Sequence, residues 1–156
     1  MARPIVFEPE YVEALRALFE ETIPFNRVLG LKIDAIRPGH VEGSLAMRPE
    51  LIGSPNHQRL HGGVISACLD AMAGLAIIAA IGARHMDEPW TQRMHRFSRL
   101  GTIDLRIDYL RPAVGVGFAL SAEVLRLGSR VASTRMDFCD VAGELLASGA
   151  AAYIVS

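Results

Sequence analysis

The chain has 156 residues, of which 51% are hydrophobic, and this size suits a single domain with a substantial core. Sixteen basic and seventeen acidic residues leave a formal net charge of −1, so the overall charge gives no support for DNA, RNA or an anionic membrane as a partner. The first residues mix acids with proline and contain no apolar signal core, so we expect a cytoplasmic protein. Cys68 and Cys139 lie in apolar runs without metal-ligand spacing and are expected to be buried thiols.

The first predicted element is an amphipathic surface helix over residues 10–22, which Pro24 ends. Its apolar residues recur at helical spacing: Val12, Leu15, Leu18 and Phe19. Residues 31–37 and 40–47 have strand-like patterns, and the Pro-Gly dipeptide between them predicts a hairpin. The polar, proline-containing stretch 48–59 is predicted to be a loop.

Residues 62–83 form an apolar run that is long enough to cross a bilayer as a helix. A membrane span would place Asp70 in hydrocarbon at a cost of about 2.5–3.5 kcal/mol. The run also lacks a clear basic flank on its N-terminal side. We therefore favour a helix buried inside the protein, with Gly82 as its stop signal.

The apolar period changes to two after Gly101, which predicts a strand with one solvent-exposed face. On this alternation Thr102 shares the outer face with Asp104 and Arg106 and points away from the helix. Strand-like stretches follow near residues 118–127, 131–139 and 144–155, joined by glycine-containing turns. Two strands, a long helix and four strands predict an α+β fold in which the helix packs on a six-stranded antiparallel sheet.

Asp70 is the one charged side chain between residues 60 and 83. An isolated charge in apolar surroundings costs several kcal/mol unless it is paired or used, so its presence requires a reason. Either Asp70 pairs with a backbone amide or a basic side chain from elsewhere, or it acts chemically. Its side of the helix carries mostly small residues, which would let a second helix or a narrow ligand approach: Gly63, Ser66, Ala67, Ala73, Gly74 and Ile77.

The sequence His-Gly-Gly at 61–63 stands at the predicted start of the helix. Backbone N–H groups of Gly62 and Gly63 would be free there, at the positive end of the helix dipole, and would suit an oxyanion. Together with a carboxylate acting as base or nucleophile, such a group favours acyl transfer. Gly62 and Asp70 are eight residues apart, about 12 Å along a helix, too far to serve one carbonyl. We therefore predict an obligate homodimer with antiparallel helices and two shared active sites.

The stretches LHGGVISACLDAMAG, GTIDLRIDYLRPA and PFNRVLG resemble the hotdog-fold acyl-CoA thioesterases of the PaaI-like branch. Within that branch they are similar to the YigI-type medium- and long-chain acyl-CoA thioesterases, over about residues 24–155. The resemblance implies one hotdog domain over residues 1–156, with a helical extension at 1–23. It also implies a six-stranded antiparallel sheet wrapped around a long central helix, a homodimer or a dimer of dimers, acyl-CoA as substrate, and no cofactor or metal.

The resemblance also implies roles for individual residues. Asp70 would be the general base or nucleophile, Gly62 the oxyanion donor, His61 a residue shaping the thioester pocket, and Thr102 a residue positioning the attacking water. Further substrate-binding positions are Asn56, Gly63, Arg111, Ser129 and Arg130, the last three beside the CoA phosphates. Relatives often carry Asn six residues before the His, whereas this chain has Pro55 there and Asn56 one place later.

Several alternatives stay open from the sequence. His57 and His61 have the spacing of a metal pair, but no third ligand joins them. The segment 84–99, rich in arginine and large apolar residues, is interpreted as a lid over the acyl tail, a basic rim facing CoA, or a solvated connection. A non-catalytic acyl-CoA binder and an enoyl-thioester hydratase are the alternative functions, and the hydratase would need a second acid near His61.

Overall fold

The computed structural model describes residues 4–156. Its helices are α1 (Pro9–Ala17), continued by a π-helical turn (Leu18–Thr22), α2 (Pro24–Leu29), α3 (Gly62–Ala83) and α4 (Trp90–Arg93). Its strands are β1 (Lys32–Arg37), β2 (His40–Ala46), β3 (Ile52–Ser54), β4 (Arg59–Leu60), β5 (Gly101–Tyr109), β6 (Gly117–Leu127), β7 (Val131–Asp140) and β8 (Leu145–Ile154). Residues 1–3 of the predicted domain and extension lie outside the described part.

Six strands form one antiparallel sheet in the order β1-β2-β6-β7-β8-β5. Helix α3 packs on this sheet, and its side chains Leu69, Met72 and Leu75 have no exposed surface. The predicted α+β hotdog fold is confirmed. Helix α3 is long and apolar enough to cross a membrane. However, 67% of its most apolar 18-residue stretch is buried within the protein, which is typical of a core helix.

Helix α1 contributes to the core as well as to the surface. Tyr11 and Leu15 are fully buried, and the Tyr11 hydroxyl lies so close to Gly82 that a Cβ there would collide with it. Helix α3 continues past Gly82 to Ala83, so the prediction of Gly82 as a stop signal is wrong. Glycine at this position instead permits close packing of α1.

Two short elements differ from the sequence prediction. Pro24 begins the helix α2, because proline is tolerated in the first turn, and Gly30 ends that helix with φ +75°. The stretch 48–59, predicted as a loop, contains most of the β3–β4 hairpin, which brings Gly53 against His61 at the start of α3.

The segment 84–99 is attached to α1 through Arg93. This side chain has no exposed surface, pairs with Glu8 and lies 4.4 Å above the centre of the Tyr11 ring. Arg93 therefore takes no part in a basic rim, and the segment is not simply a solvated connection. The remaining arginines of the segment are exposed: Arg84, Arg96 and Arg99.

Candidate active site

The Asp70 carboxylate is held by two hydroxyl groups. The Thr102 hydroxyl donates to Oδ1 across 2.9 Å, and the Tyr153 hydroxyl lies 2.5 Å from the same oxygen. No ion pair among residues 4–156 includes Asp70. The alternative that a basic side chain neutralises Asp70 is therefore wrong for these residues. The Asp70 carboxylate lies on a partly exposed stretch of α3.

Thr102 reaches Asp70 because strand β5 contains a bulge. The pairing of β5 with β8 places Thr102 opposite Tyr153, and the register then shifts between Thr102 and Asp104. Ile103 is the extra residue, and its side chain is 58% exposed. The prediction that Thr102 points away from the helix is wrong, because one inserted residue reverses the alternation of faces.

Tyr153 is a site residue that the sequence analysis missed. Its hydroxyl contacts Asp70 from a strand 83 residues further along the chain. One signal was present: on the inner face of β8 this tyrosine follows only small residues, Ala147, Gly149 and Ala151. Burial, followed by the hydrogen bond and charge of Asp70, raises the pKa of Tyr153, so the phenol remains a protonated donor.

The start of α3 provides one free amide rather than two. The His61 side chain caps the helix, with Nδ1 accepting the Gly63 N–H across 2.8 Å. The expectation that the Gly63 N–H is free is therefore wrong. The Gly62 N–H has no partner among the hydrogen bonds of residues 4–156 and remains available to an oxyanion.

Tyr109, at the end of β5, fixes the Gly62 peptide. Its hydroxyl donates to the Gly62 carbonyl across 2.7 Å, and a Cβ at Gly62 would lie 3.2 Å from the tyrosine ring. A side chain at this position would crowd the tyrosine ring, which glycine avoids. The alternation of apolar residues predicts a strand at Tyr109 but gives no sign of its contact with the helix start.

A cleft of about 480 Å³ opens at this end of α3. Its lining residues come from β3, β4, the helix start and the end of β5: Gly53, Ser54, Arg59, Leu60, His61, Gly62, Ile65, Tyr109, Leu110, Arg111, Pro112 and Ala113. Two cations line it, and Arg111 already pairs with Glu144 across 2.9 Å. Neither Asn56, which is exposed, nor Asp70 lines this cleft.

The residues predicted to meet the CoA phosphates are not brought together within one chain. Arg111 lines the cleft at Gly62, whereas Ser129 lines a second cavity of about 200 Å³ beside Ile81, and Arg130 follows Ser129 in the same turn. Nineteen residues of continuous helix separate Gly62 from Ile81, which corresponds to about 28 Å.

The two histidines of the possible metal pair have separate partners. His57 Nδ1 lies 3.1 Å from the Ser54 hydroxyl, while His61 Nδ1 accepts the Gly63 N–H. Within residues 4–156 no group of three or more His, Cys, Asp and Glu side chains could hold a metal ion.

A carboxylate oriented by hydroxyls and a free amide at a helix start are the groups that acyl transfer requires. On a six-stranded antiparallel sheet around a central helix, they define a hotdog-type acyl-transfer protein. The family model for the thioesterase superfamily matches residues 57–147. The chain belongs to the thioesterase superfamily, which confirms the predicted family and class of enzyme.

Individual relatives agree with this assignment. The chain is 36% identical over 138 residues to the medium/long-chain acyl-CoA thioesterase YigI of Salmonella typhimurium, covering 88% of this chain and 89% of that protein. A crystal structure from Shewanella oneidensis, described as related to the thioesterase superfamily, has 37% identity and a TM-score of 0.87, covering 94% of this chain and 96% of that one. A thioesterase family protein from Silicibacter pomeroyi has 25% identity and a TM-score of 0.74, covering 92% of this chain and 96% of that chain.

Proposed function

We propose that this protein hydrolyses acyl-CoA thioesters to a free acid and CoA, using Asp70 of one subunit and Gly62 of another. The observation that carries the proposal is the Asp70 carboxylate, which two hydroxyls orient and no cation neutralises among the described residues. The name of the Salmonella relative makes medium- and long-chain acyl groups the first substrates to test.

The Gly62 N–H would donate to the thioester carbonyl oxygen and stabilise the negative charge that develops on it. Asp70 would take a proton from water as the water oxygen bonds to the carbonyl carbon, and would return it to sulfur as the carbon–sulfur bond breaks. In the alternative course, the carboxylate attacks the carbonyl carbon directly, the carbon–sulfur bond breaks and CoA leaves as the thiolate. Water then cleaves the resulting anhydride, which regenerates the Asp70 carboxylate and supplies the proton that the thiolate takes up. In both courses Thr102 orients the carboxylate.

The exposure of α3 supports an active site shared between subunits. On the side of Asp70, the preceding residues Gly63, Ser66 and Ala67 are not fully buried, whereas the following residues Ala73, Gly74 and Ile77 are. A second α3, antiparallel and crossing near Ser66, would place its Gly62 beside Asp70. The small side chains allow the close approach that this arrangement needs.

Strand β5 also favours an interface between subunits at this site. It is an edge strand of the sheet and contains Thr102, which contacts Asp70. It and the residue that follows it expose large side chains, with Ile103, Tyr109 and Leu110 each more than half exposed. An uncovered edge strand with apolar side chains normally pairs or is protected. A second copy of this strand would cover it and would bring the two helices together.

The experiment is thiol release from a panel of acyl-CoAs by the wild-type protein and by Asp70→Asn. We expect Asp70→Asn to lower kcat at least about 100-fold, because a general base is lost. Asp87→Asn, a matched change at an exposed position, should retain wild-type kcat. Cys68 is buried, whereas Cys139 is only partly buried, so the prediction of two buried thiols is wrong for Cys139. The protein's own thiols should still add little background, because burial raises the pKa of Cys68 to about 12 and, with the nearby Asp137 and Asp140, raises that of Cys139.

A kcat for Asp70→Asn close to that of the wild type would reject the mechanism. Saturable binding of acyl-CoA by the wild-type protein without thiol release would instead favour the acyl-CoA sensor.

A further inference from the structure

We infer that Tyr153 is a positioning residue for hydrolysis: its hydroxyl fixes the Asp70 carboxylate so that Oδ2 is the oxygen that reacts. The inference rests on the proposed function of Asp70. It concerns a residue outside the His-Gly-Gly and Asp pattern, on the last strand of the sheet.

The geometry distinguishes the two carboxylate oxygens. Tyr153 and Thr102 both direct their hydroxyls at Oδ1, at 2.5 Å and 2.9 Å, while in the described part of the chain no donor is hydrogen-bonded to Oδ2. Donors that converge on one oxygen leave the lone pairs of the other for a proton or a carbon. Oδ2 is therefore the oxygen left free to react.

Tyr153 also contacts the backbone of the same residue. Its hydroxyl lies 2.7 Å from the Asp70 carbonyl oxygen, so one phenol contacts both the main chain and the side chain of Asp70. Rotation about the Cα–Cβ bond of Asp70 would move Oδ1 away from this hydroxyl. The contact thus selects one rotamer of the carboxylate.

Burial makes Tyr153 the rigid member of the pair of donors. Its side chain is 3% exposed and lies near Gly74, one turn beyond Asp70, whereas Thr102 is exposed and stands at the bulge of an edge strand. Burial and the neighbouring Asp70 raise the pKa of Tyr153, which favours the protonated hydroxyl that can donate. A fixed donor is what preorganisation of a base requires.

The test is Tyr153→Phe, which keeps the ring and removes the hydroxyl. We expect kcat to fall about tenfold, the usual effect of losing a hydrogen bond to a charged group, while KM changes less than about twofold. Tyr11→Phe is the matched control, because it removes another buried tyrosine hydroxyl that has no hydrogen-bond partner in the described chain. It should keep wild-type kcat, and thermal melting should show both variants folded.

A double-mutant cycle separates positioning from a structural role. If Tyr153 acts through Asp70, adding Tyr153→Phe to Asp70→Asn should lower the residual kcat less than about twofold. Equal losses in both backgrounds, or wild-type kcat for Tyr153→Phe alone, would overturn the inference and leave the proposed function intact. A wild-type protein that releases no thiol would overturn both.

Discussion

Two tyrosines of the sheet fix the two groups to which the proposed mechanism assigns the reaction. Tyr109 donates to the Gly62 carbonyl at the start of α3, and Tyr153 donates to Asp70 two turns later. Both come from neighbouring strands, β5 and β8. The Gly62 peptide and the Asp70 carboxylate are thus both positioned by the β8–β5 end of the sheet.

Arg59 is predicted to bind the CoA phosphates. It lines the cleft beside His61 and is exposed, and it forms no ion pair within residues 4–156, whereas Arg111 is occupied by Glu144. We expect Arg59→Ala to raise KM for acyl-CoA about fivefold, or about 1 kcal/mol, as an exposed charge contact should, with little change in kcat.

The measurement compares acyl-CoA with the same acyl thioester of N-acetylcysteamine, which has no phosphate. Only the CoA substrate should respond to Arg59→Ala. Arg130→Ala, at the far end of α3, is the matched variant. If Arg130→Ala raises KM and Arg59→Ala does not, the phosphates bind at the β6–β7 turn instead.

The sequence pattern predicted the site residues that lie close together in the chain. It did not predict the residues that come together only when the chain folds. Asp70, Gly62 and His61 lie within ten residues of one another, so the spacing on a helix was enough to relate them. Tyr153 and Tyr109 are 83 and 47 residues from their partners. Their contacts depend on strand register, which the alternation of apolar residues leaves undetermined.

Long periodic elements were predicted well, and irregular ones were not. The bounds of α3 and the six strands of the sheet followed from apolar period and glycine turns. The bulge at Ile103 could not be predicted, because its residues fit a regular strand equally well, and only pairing with β8 reveals the shift. The helix α2 was hidden by Pro24, which ends one helix and starts another.

The attachment of α4 to α1 is predicted to stabilise the fold without affecting catalysis directly. Arg93 pairs with Glu8, stacks on Tyr11 and is completely buried. Arg93→Met should lower the free energy of unfolding by about 1–2 kcal/mol, mainly through loss of the cation–π contact, because the Glu8 partner is 40% exposed and its ion pair contributes less. Urea denaturation measures this value, and Arg99→Met, at an exposed arginine of the same segment, should change it by less than about 0.5 kcal/mol.

The difference in free energy of unfolding between the wild type and Arg93→Met should depend on pH. The hydrogen bond from Arg93 lowers the pKa of Glu8 below its usual value of 4.5. A carboxyl with a depressed pKa in the folded state contributes stability above pH 4.5, and this contribution is lost as the pH falls through the folded value. The stability gap between wild type and Arg93→Met should therefore narrow below pH 4.5. A gap that widens there would contradict the ion pair.

The two groups that the proposed mechanism uses lie too far apart within one molecule to act on one carbonyl. The continuous helix α3 holds the Gly62 N–H and the Asp70 carboxylate eight residues apart, about 12 Å along the axis. The cleft adjoins Gly62 and does not include Asp70. The proposed dimer joins each cleft to the Asp70 carboxylate of the other subunit. The activity of a mixed dimer should therefore depend on whether changes at Gly62 and Asp70 are in the same chain or in different chains.

Complementation between two inactive chains tests this arrangement. Gly62→Pro removes the free N–H at a position where a helix accepts proline. Gly62→Ala is its control, because it also adds a Cβ beside Tyr109 but keeps the N–H. Gly62→Pro and Asp70→Asn should each have only a small residual activity as homodimers. Coexpressed equally, they should recover about a quarter of wild-type activity, because half of the dimers are mixed and one of their two sites is intact.

The chain with both changes provides the matched control. Its mixed dimers with wild-type subunits would contain no intact site, because each shared site would have one defective half. Purified mixed dimers of this kind should therefore be inactive, whereas those of Gly62→Pro with Asp70→Asn should have about half of wild-type activity per dimer. The reverse pattern, with activity in the mixed dimers that contain a wild-type chain and none in those of Gly62→Pro with Asp70→Asn, would mean that each chain hydrolyses substrate by itself, despite the distance between Gly62 and Asp70.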